Sequence, residues 1–386
     1  MAFTRMNTIF ISTNDHMPWG GSEVLWTRAA LAMAQKGHQV TASVRRWCPR
    51  HTGMEALLQG GVTLHERERT ALERSRLQNA WAMWRKGFVR EVADNRWSVL
   101  EQQRPDLAVI SLGNHLDEPF LHYVERLQRM QVPYVVVVQL VHPYADVTDE
   151  KAERFITAYR GARHVVFVSE QNRSILSKQL GHVFTNAVII PNPVDVERLQ
   201  APLPFPPTSE GLRLAMVCAL TPFHKGHDIV LEVLAQEKWR KRELFVDLYG
   251  EGRSKAVIER NIKALGIERV RLCGFEPDKR MIWGTHHAAL FASRMEGLSL
   301  ALLEAMACGR PVIATNVGDA KRFIEEGVSG FITAPGYACG LDEAMERAWE
   351  CRDDWESMGH EAFATFTRLI PDDPVLRLVN VIERTV

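Results

Sequence analysis

No stretch of the 386-residue chain approaches the roughly 18 apolar residues that a membrane-crossing helix needs. The longest candidate, Val132 to Val141, is strand-length and interrupted by Gln139. An excess of one charge is also missing: 47 Lys and Arg face 47 Asp and Glu. That balance excludes a chain whose main task is coating nucleic acid, which needs a strong basic surplus. Cysteine is sparse, and none of the six residues (48, 218, 273, 308, 339, 351) shows CxxC spacing. A disulfide framework is excluded, and thiols inside apolar patterns suit a reducing compartment. The opening MAFTRMNTIFIST has too short an apolar run for a signal peptide and no small-residue cleavage site. A cytoplasmic protein is the expectation.

With 46% apolar and 24% charged residues the chain is neither disordered nor a coiled-coil rod. Its length exceeds what one core organises, so two domains are expected. Apolar strand, turn and amphipathic helix alternate along it. Strand-like runs are Thr8 to Thr13, Gln39 to Val44, Leu107 to Ser111, Tyr134 to Val138, His164 to Val168 and Ala187 to Ile190. A Gly-Gly turn follows the first run, then a helix from about Ser22 to Lys36, stopped by Gly37. Continuous Val and Ile runs predict strands covered on both faces, as in a parallel sheet. The class is therefore α/β.

Residues 201–211, APLPFPPTSEG, hold four prolines and can be neither helix interior nor central strand. They read as the interdomain connection. After them the rhythm restarts with Leu214 to Cys218, Leu244 to Leu248, Val270 to Cys273, Ala288 to Phe291 and Pro311 to Thr315. The division is 1–200, a linker at 201–211, 212–370, and a last helix over 371–386. Residues 1–200 carry 24 basic and 20 acidic side chains, leaving 23 and 27. The first half is mildly basic and the second mildly acidic. Ligands in such sheets bind outside the carboxyl ends of the strands.

The most informative stretch is MEGLSLALLEAMACGRPVIA at 295–314. Ser299 is a candidate N-cap, Gly309 a C-terminal stop, and Pro311 prevents continuation. Between them Glu304 is the sole polar residue of an otherwise apolar helix, which predicts burial on all sides. A buried carboxylate needs hydrogen-bond donors, and the vicinal hydroxyls of a ribose are suitable ones. The alternative is a solvent-facing Glu304. Glu296 lies eight positions earlier, and the amides of Gly297, Leu298 and Ser299 are placed to meet an anion such as a phosphate. One carboxylate beside a phosphate-binding turn and a second on the following helix suit a nucleotide-sugar.

This Glu-x7-Glu segment resembles the retaining family 4 glycosyltransferases, which have the GT-B fold of two Rossmann-like domains facing across a cleft. VIIPNPVD at 188–195 is similar to that family's turn before the second domain. TPFHKG at 221–226 resembles its donor loop, YGEG at 249–252 its GxG turn, and VRLCGF at 270–275 the strand and turn that hold the base. PWGGSE at 18–23 is similar to its glycine loop.

The resemblance implies a retaining, metal-independent transferase of the hexosyl type. A nucleotide-sugar would be its substrate and donor, no separate cofactor would be needed, and the acceptor would be a glycan or a lipid-linked glycan. Glu296 would contact the transferred sugar, Glu304 the ribose and Lys225 the diphosphate. Gly20, Gly21 and Gly250 would allow close backbone approach, and Phe275 would lie near the base. Two departures stand out. Relatives carry an arginine where this chain has Ala219, so Arg294 or His224 is the candidate replacement. Relatives also place a histidine where this chain has Gln139, and either Gln139 or His142 would meet the sugar. A non-catalytic nucleotide- or glycan-binding homologue is the alternative that these departures raise.

Other residues have plainer readings. Lys225-Gly226 alone is a turn, and Gly250-x-Gly252 lacks the third glycine of a dinucleotide site. His115, His122, His286 and His287 have no metal-cage spacing, and cleft lining is the alternative for His115, which follows a strand. Leu77, Trp81, Trp84 and Phe88 share one helical face in a basic, Trp-rich segment. They read as a helix packed on the sheet, or as a surface for peripheral contact with anionic lipid at the inner face of the membrane.

Overall fold

The computed structural model describes residues 5–68, 97–196 and 199–386. Leu77, Trp81, Trp84 and Phe88, read as a helix packed on the sheet or as a lipid-facing surface, lie outside the described residues. The chain forms two compact units. The first comprises Met1–Val168, Asn172–Asn192 and Asp372–Val386; the second comprises Ser169–Gln171 and Pro193–Pro371.

The first unit holds β1 (Asn7–Ser12), β2 (Gln39–Arg45), β3 (Thr63–Arg67), β4 (Leu107–Leu112), β5 (Tyr134–Val138), β6 (His164–Phe167) and β7 (Ala187–Ile189). They form one sheet in the order β3-β2-β1-β4-β5-β6-β7, parallel throughout. Every residue of β4 and β5 is buried, as continuous Val and Ile runs require when helices cover both faces. β3 was not foreseen. It is an edge strand with the polar sequence TLHER, so one-sided packing leaves no continuous apolar signature.

The helix Pro374–Glu383 closes this unit. Pro374 opens it and the Asp373 carboxylate caps it, accepting from Val375 N at 2.8 Å. Val375, Leu378, Val379 and Ile382 share a core with Leu25, Trp26, Ala29 and Met33 of the helix Gly21–Gln35. Glu383 pairs with Lys36 at 2.9 Å and meets His38 Nε2 at 3.1 Å, and Arg377 donates to the Ile189 carbonyl at 2.9 Å.

The second unit holds β8 (Leu212–Val217), β9 (Leu244–Tyr249), β10 (Val270–Gly274), β11 (Ala288–Phe291), β12 (Val312–Thr315) and β13 (Gly330–Thr333). Their order is β10-β9-β8-β11-β12-β13, again all parallel. The α/β expectation of two Rossmann-like domains therefore holds.

The proline-rich run 201–211 is fastened within the second unit. Buried Arg310 donates to the carbonyls of Leu203 at 3.2 Å, Pro204 at 2.6 Å and Trp283 at 2.7 Å. Leu203 N donates to the Cys308 carbonyl at 3.1 Å. An irregular run has carbonyls without ladder partners, and a guanidinium with five donors collects them.

Candidate active site

In a parallel sheet the carboxyl ends of all strands share one edge, so motifs distant in sequence converge there. In the second unit those ends carry Cys218-Ala219-Leu220 after β8, Gly250 after β9, Phe275 after β10 and Ser293 to Glu296 after β11. Two glycines make the convergence possible. Gly226 has φ +72°, and a Cβ there would lie 2.0 Å from the Ala292 carbonyl oxygen. Gly250 has φ +138°, with the same 2.0 Å conflict against the Cys218 carbonyl. Any side chain would push the 222–225 turn off the end of β11, or the 249–252 turn off the end of β8.

Lys225 Nζ lies 2.6 Å from Glu296 Oε1, which also accepts from Ser293 Oγ at 2.7 Å. Burial works against the Lys225 ammonium, but the charge of Glu296 outweighs it and holds the lysine pKa above its ordinary value. The two motifs thus meet as an ion pair. Neighbouring groups are neutral: burial pushes the Cys218 thiol up to about 12 and His227 down to about 4. Cys218 Sγ and His227 Nε2 are 3.6 Å apart.

The helix Leu300–Ala307 starts as its sequence predicts. Ser299 Oγ accepts from Leu302 N at 3.4 Å. Its end is closed by Gly309 N to the Met306 carbonyl and Arg310 N to that of Ala305, both 2.9 Å. Glu304 is only 4% exposed, so the solvent-facing alternative falls. Its Oε1 accepts from Asp195 N at 3.4 Å. Leu298 is buried, Gly297 and Ser299 half-buried. Phe275 is 65% exposed, with Lys279 Nζ 4.9 Å from its ring centre. Arg294 is engaged by Asp228 at 2.9 and 2.7 Å. His286 and His287 are buried structural residues: His286 Nε2 lies 3.1 Å from Asp247 Oδ2, and His287 Nδ1 accepts from Arg213 N at 2.9 Å.

In the first unit Gly20 is the extended residue ahead of the helix Gly21–Gln35, and Gly21 is its first residue. The loop is held by Glu23, which sequence reasoning passed over. This carboxylate is 2% exposed and accepts from Asn14 Nδ2 at 2.9 Å, Ser22 Oγ at 3.2 Å and Trp26 Nε1 at 2.6 Å. Burial raises its pKa, and these hydrogen bonds oppose the rise. A glutamate three residues before a tryptophan, in a helix otherwise apolar on that face, was the available signal.

Gln139 follows β5 and is 4% exposed. Its Oε1 accepts from Asn192 Nδ2 at 3.0 Å, and its backbone carbonyl from Asn172 Nδ2 at 3.3 Å. His142 is half-buried; its Nδ1 accepts from Tyr144 N at 3.3 Å. His115 supports this turn: its Nδ1 accepts from His142 N at 3.3 Å, and its Nε2 lies 3.1 Å from Gln179 Oε1. Among the described residues no cluster of three or more His, Cys, Asp or Glu is arranged to hold a metal ion.

Residues 19–198 match the family model described as Glycosyltransferase Family 4, and residues 211–351 that described as Glycosyl transferases group 1. The chain carries the two domains of a family 4-type glycosyltransferase. Among named relatives, D-rhamnosyltransferase WbpZ of Pseudomonas aeruginosa is 27% identical over 164 residues, 41% of this chain and 42% of that protein. Alpha-D-kanosaminyltransferase of Streptomyces kanamyceticus is 27% identical over 141 residues, 36% of each. The matched segments span about two fifths of the length of these relatives.

Solved structures share the fold over nearly the whole chain. Anabaena HepE in complex with UDP and glucose is 18% identical and covers 99% of both chains at TM-score 0.73. A mutant of S. aureus TarM in complex with fondaparinux, alpha-GlcNAc-glycerol and UDP is 14% identical, covering 98% of this chain and 99% of its own at TM-score 0.69. These likenesses establish the GT-B architecture. No helix among the described residues is long and apolar enough to cross a membrane.

Proposed function

We propose that this chain transfers a sugar from a nucleotide diphosphate donor to a hydroxyl of a glycan or lipid-linked acceptor, with retention at the sugar carbon. The observation that carries the reading is the Lys225–Glu296 ion pair beside the capped, buried helix that holds Glu304. A bound donor would take over both halves of that pair. Phosphate oxygens would replace Glu296 as partners of Lys225, and sugar hydroxyls would donate to Glu296. Neither charge would be stranded, which is what a desolvated pair demands.

Lys225 would then stabilise the charge that grows on the diphosphate as it leaves, a role for cationic side chains in a preorganised site. The amides of Gly297, Leu298 and Ser299 would add donors at a helix start, and Glu304 would accept from the ribose. Gly20 and Gly21 would bring backbone amides to the donor phosphate and the acceptor. Gln139 or His142 would meet the sugar from the first unit. Same-face attack is the preferred route to retention, with the departing phosphate helping to take the acceptor proton. The likeness to a D-rhamnosyltransferase and an O-antigen chain mannosyltransferase supports this assignment. A cytoplasmic enzyme, working at the inner face of a membrane when its acceptor is lipid-linked, fits that class.

The test is a thermal-shift panel of UDP, GDP, ADP, CMP and dTDP on wild type and Glu304→Ala. A ligand at 100 times its dissociation constant stabilises by about 2.7 kcal/mol, several degrees in melting temperature. The expected result is a shift with one nucleotide, lost in the variant, together with slow donor hydrolysis abolished by Glu296→Ala. No shift with any nucleotide or with the matching sugar nucleotides would overturn the donor assignment and favour the non-catalytic alternative.

A further inference from the structure

Ala219 leaves this chain without the arginine that the resemblance expects near the diphosphate, and Arg294 lies only two residues before Glu296. Its surroundings assign it other work. Arg294 N donates to the His224 carbonyl at 2.8 Å. Its Nη1 lies 3.3 Å from the Pro222 carbonyl and 3.2 Å from that of Phe223. Nη1 and Nη2 grip Asp228 Oδ1 and Oδ2 at 2.9 and 2.7 Å. This is the two-pronged geometry that a guanidinium forms with a carboxylate and an ammonium cannot.

Pro222–Lys225 is a single helical turn, too short to hold itself, and its carbonyls have few partners within it. Asp228 stands in the first turn of the following helix, His227–Leu234, where a carboxylate is favoured. Burial alone would raise the Asp228 pKa, but the bonds and charge of Arg294 hold it below the ordinary value. Arg294 therefore bolts the turn to the helix behind it and to the strand end in front of it. Lys225, the last residue of the turn, is thereby set 2.6 Å from Glu296.

We propose that Arg294 and Asp228 are positioning residues: their ion pair fixes the 222–225 turn so that Lys225 is presented to the donor diphosphate, and Arg294 itself stays off the phosphates. The inference rests on the reading that Lys225 takes the diphosphate. It replaces the expectation that Arg294 supplies the missing phosphate charge. The two roles predict opposite signs for one substitution. Asp228→Asn weakens diphosphate binding if the pair positions the turn. It frees a guanidinium and tightens binding if Arg294 is a phosphate ligand.

The experiment is calorimetric titration with UDP, GDP, ADP and dTDP. The diphosphate that binds wild type best is then compared with its monophosphate on Asp228→Asn, Arg294→Lys, Lys225→Ala and the Asp228→Asn/Lys225→Ala pair. Positioning predicts that Asp228→Asn and Arg294→Lys each weaken the diphosphate about tenfold, the factor carried by ~1.4 kcal/mol. The monophosphate should change by less than about twofold, a split that general destabilisation would not produce. With Lys225 already removed, Asp228→Asn should cost nothing further, and Asp228→Glu should restore most of the loss. Unchanged or tighter diphosphate binding by Asp228→Asn, or full affinity in Arg294→Lys, would overturn the positioning role alone. Absence of binding by wild type to every diphosphate would overturn the donor reading and this inference with it.

Discussion

The two units wind their first six strands in the same order, yet the carboxyl ends of those strands carry different chemistry. In the second unit the loops hold formal charges already matched: Lys225 with Glu296, Arg294 with Asp228. In the first unit the ends of β4 to β7 carry carboxamides and imidazoles instead: Gln139 with Asn192 and Asn172, His115 with Gln179 and His142. Matched charges can be exchanged for those of a ligand. Neutral networks can only shape a surface and offer directional hydrogen bonds, because no net charge is stored in them. On the proposed function the difference divides the labour: the second unit would hold an anionic group, and the β4 to β7 ends of the first would orient an uncharged one.

Removing one member from each side is the strongest way to break that division. Lys225→Ala should lower kcat by about 10²–10³, the usual cost of deleting a group that stabilises charge in the transition state. Gln139→Ala removes a neutral contact and should cost roughly tenfold, the scale of one ordinary hydrogen bond. Initial rates of sugar transfer measure both. Equal losses would mean that the first unit also stabilises developing charge, and the contrast would be false.

What could be read from the sequence follows the same divide. Central strands announce themselves because burial on both faces demands continuous apolar residues, as in Leu107–Leu112 and Tyr134–Val138. Ser299 as a cap and Glu304 as a buried acid were legible for an equally local reason: each is judged by its own helix. The Arg294–Asp228 bond joins residues 66 positions apart, and no local pattern marks such a partner. Arg294 therefore looked like a spare cation, although the fold gives it a carboxylate. The same limit hid Arg310, whose carbonyl partners at Leu203 and Pro204 lie more than 100 positions away. Glu23 was marked only by its place three residues before Trp26, because its donors are uncharged side chains that form no recognised motif.

A second contrast concerns how each unit closes its core. The first unit recruits residues from the far end of the chain, and Leu378 of the helix Pro374–Glu383 is fully buried there. Leu378→Ala should destabilise this unit by about 3 kcal/mol, within the range for large-to-small changes in a packed core. Native-state hydrogen exchange would locate the effect. Protection should fall in the helix Gly21–Gln35, which Leu378 packs against, while β8 to β12 keep theirs. A uniform loss over both sheets would show that the units unfold as one and that the division by contacts has no energetic counterpart.

The smallest effect tests what the units share. Each buries one histidine in neutral form at its carboxyl edge, His115 in the first and His227 in the second, and burial pulls both down to about 4. For His115 the Gln179 hydrogen bond opposes that fall, while His142 and Lys151 reinforce it. For His227 Asp228 opposes and Lys225 reinforces. In an unfolded chain these imidazoles titrate near 6.5. Between that value and about 4 the unfolded state binds the extra proton and the folded state refuses it. Stability is therefore complete above pH 6.5 and declines as pH falls, by up to about 1.4 kcal/mol per pH unit for each histidine. Urea unfolding at pH 7.0 and 5.5 on wild type and His115→Asn measures the first of these. The variant starts lower at pH 7.0, because Gln179 Oε1 loses the imidazole partner while its Nε2 keeps the His142 carbonyl, but it should lose less on acidification. An equal loss in both proteins would mean that His115 takes up its proton in the folded state, and the turn bearing His142 would then be charged at the pH where the neutral network was expected to hold.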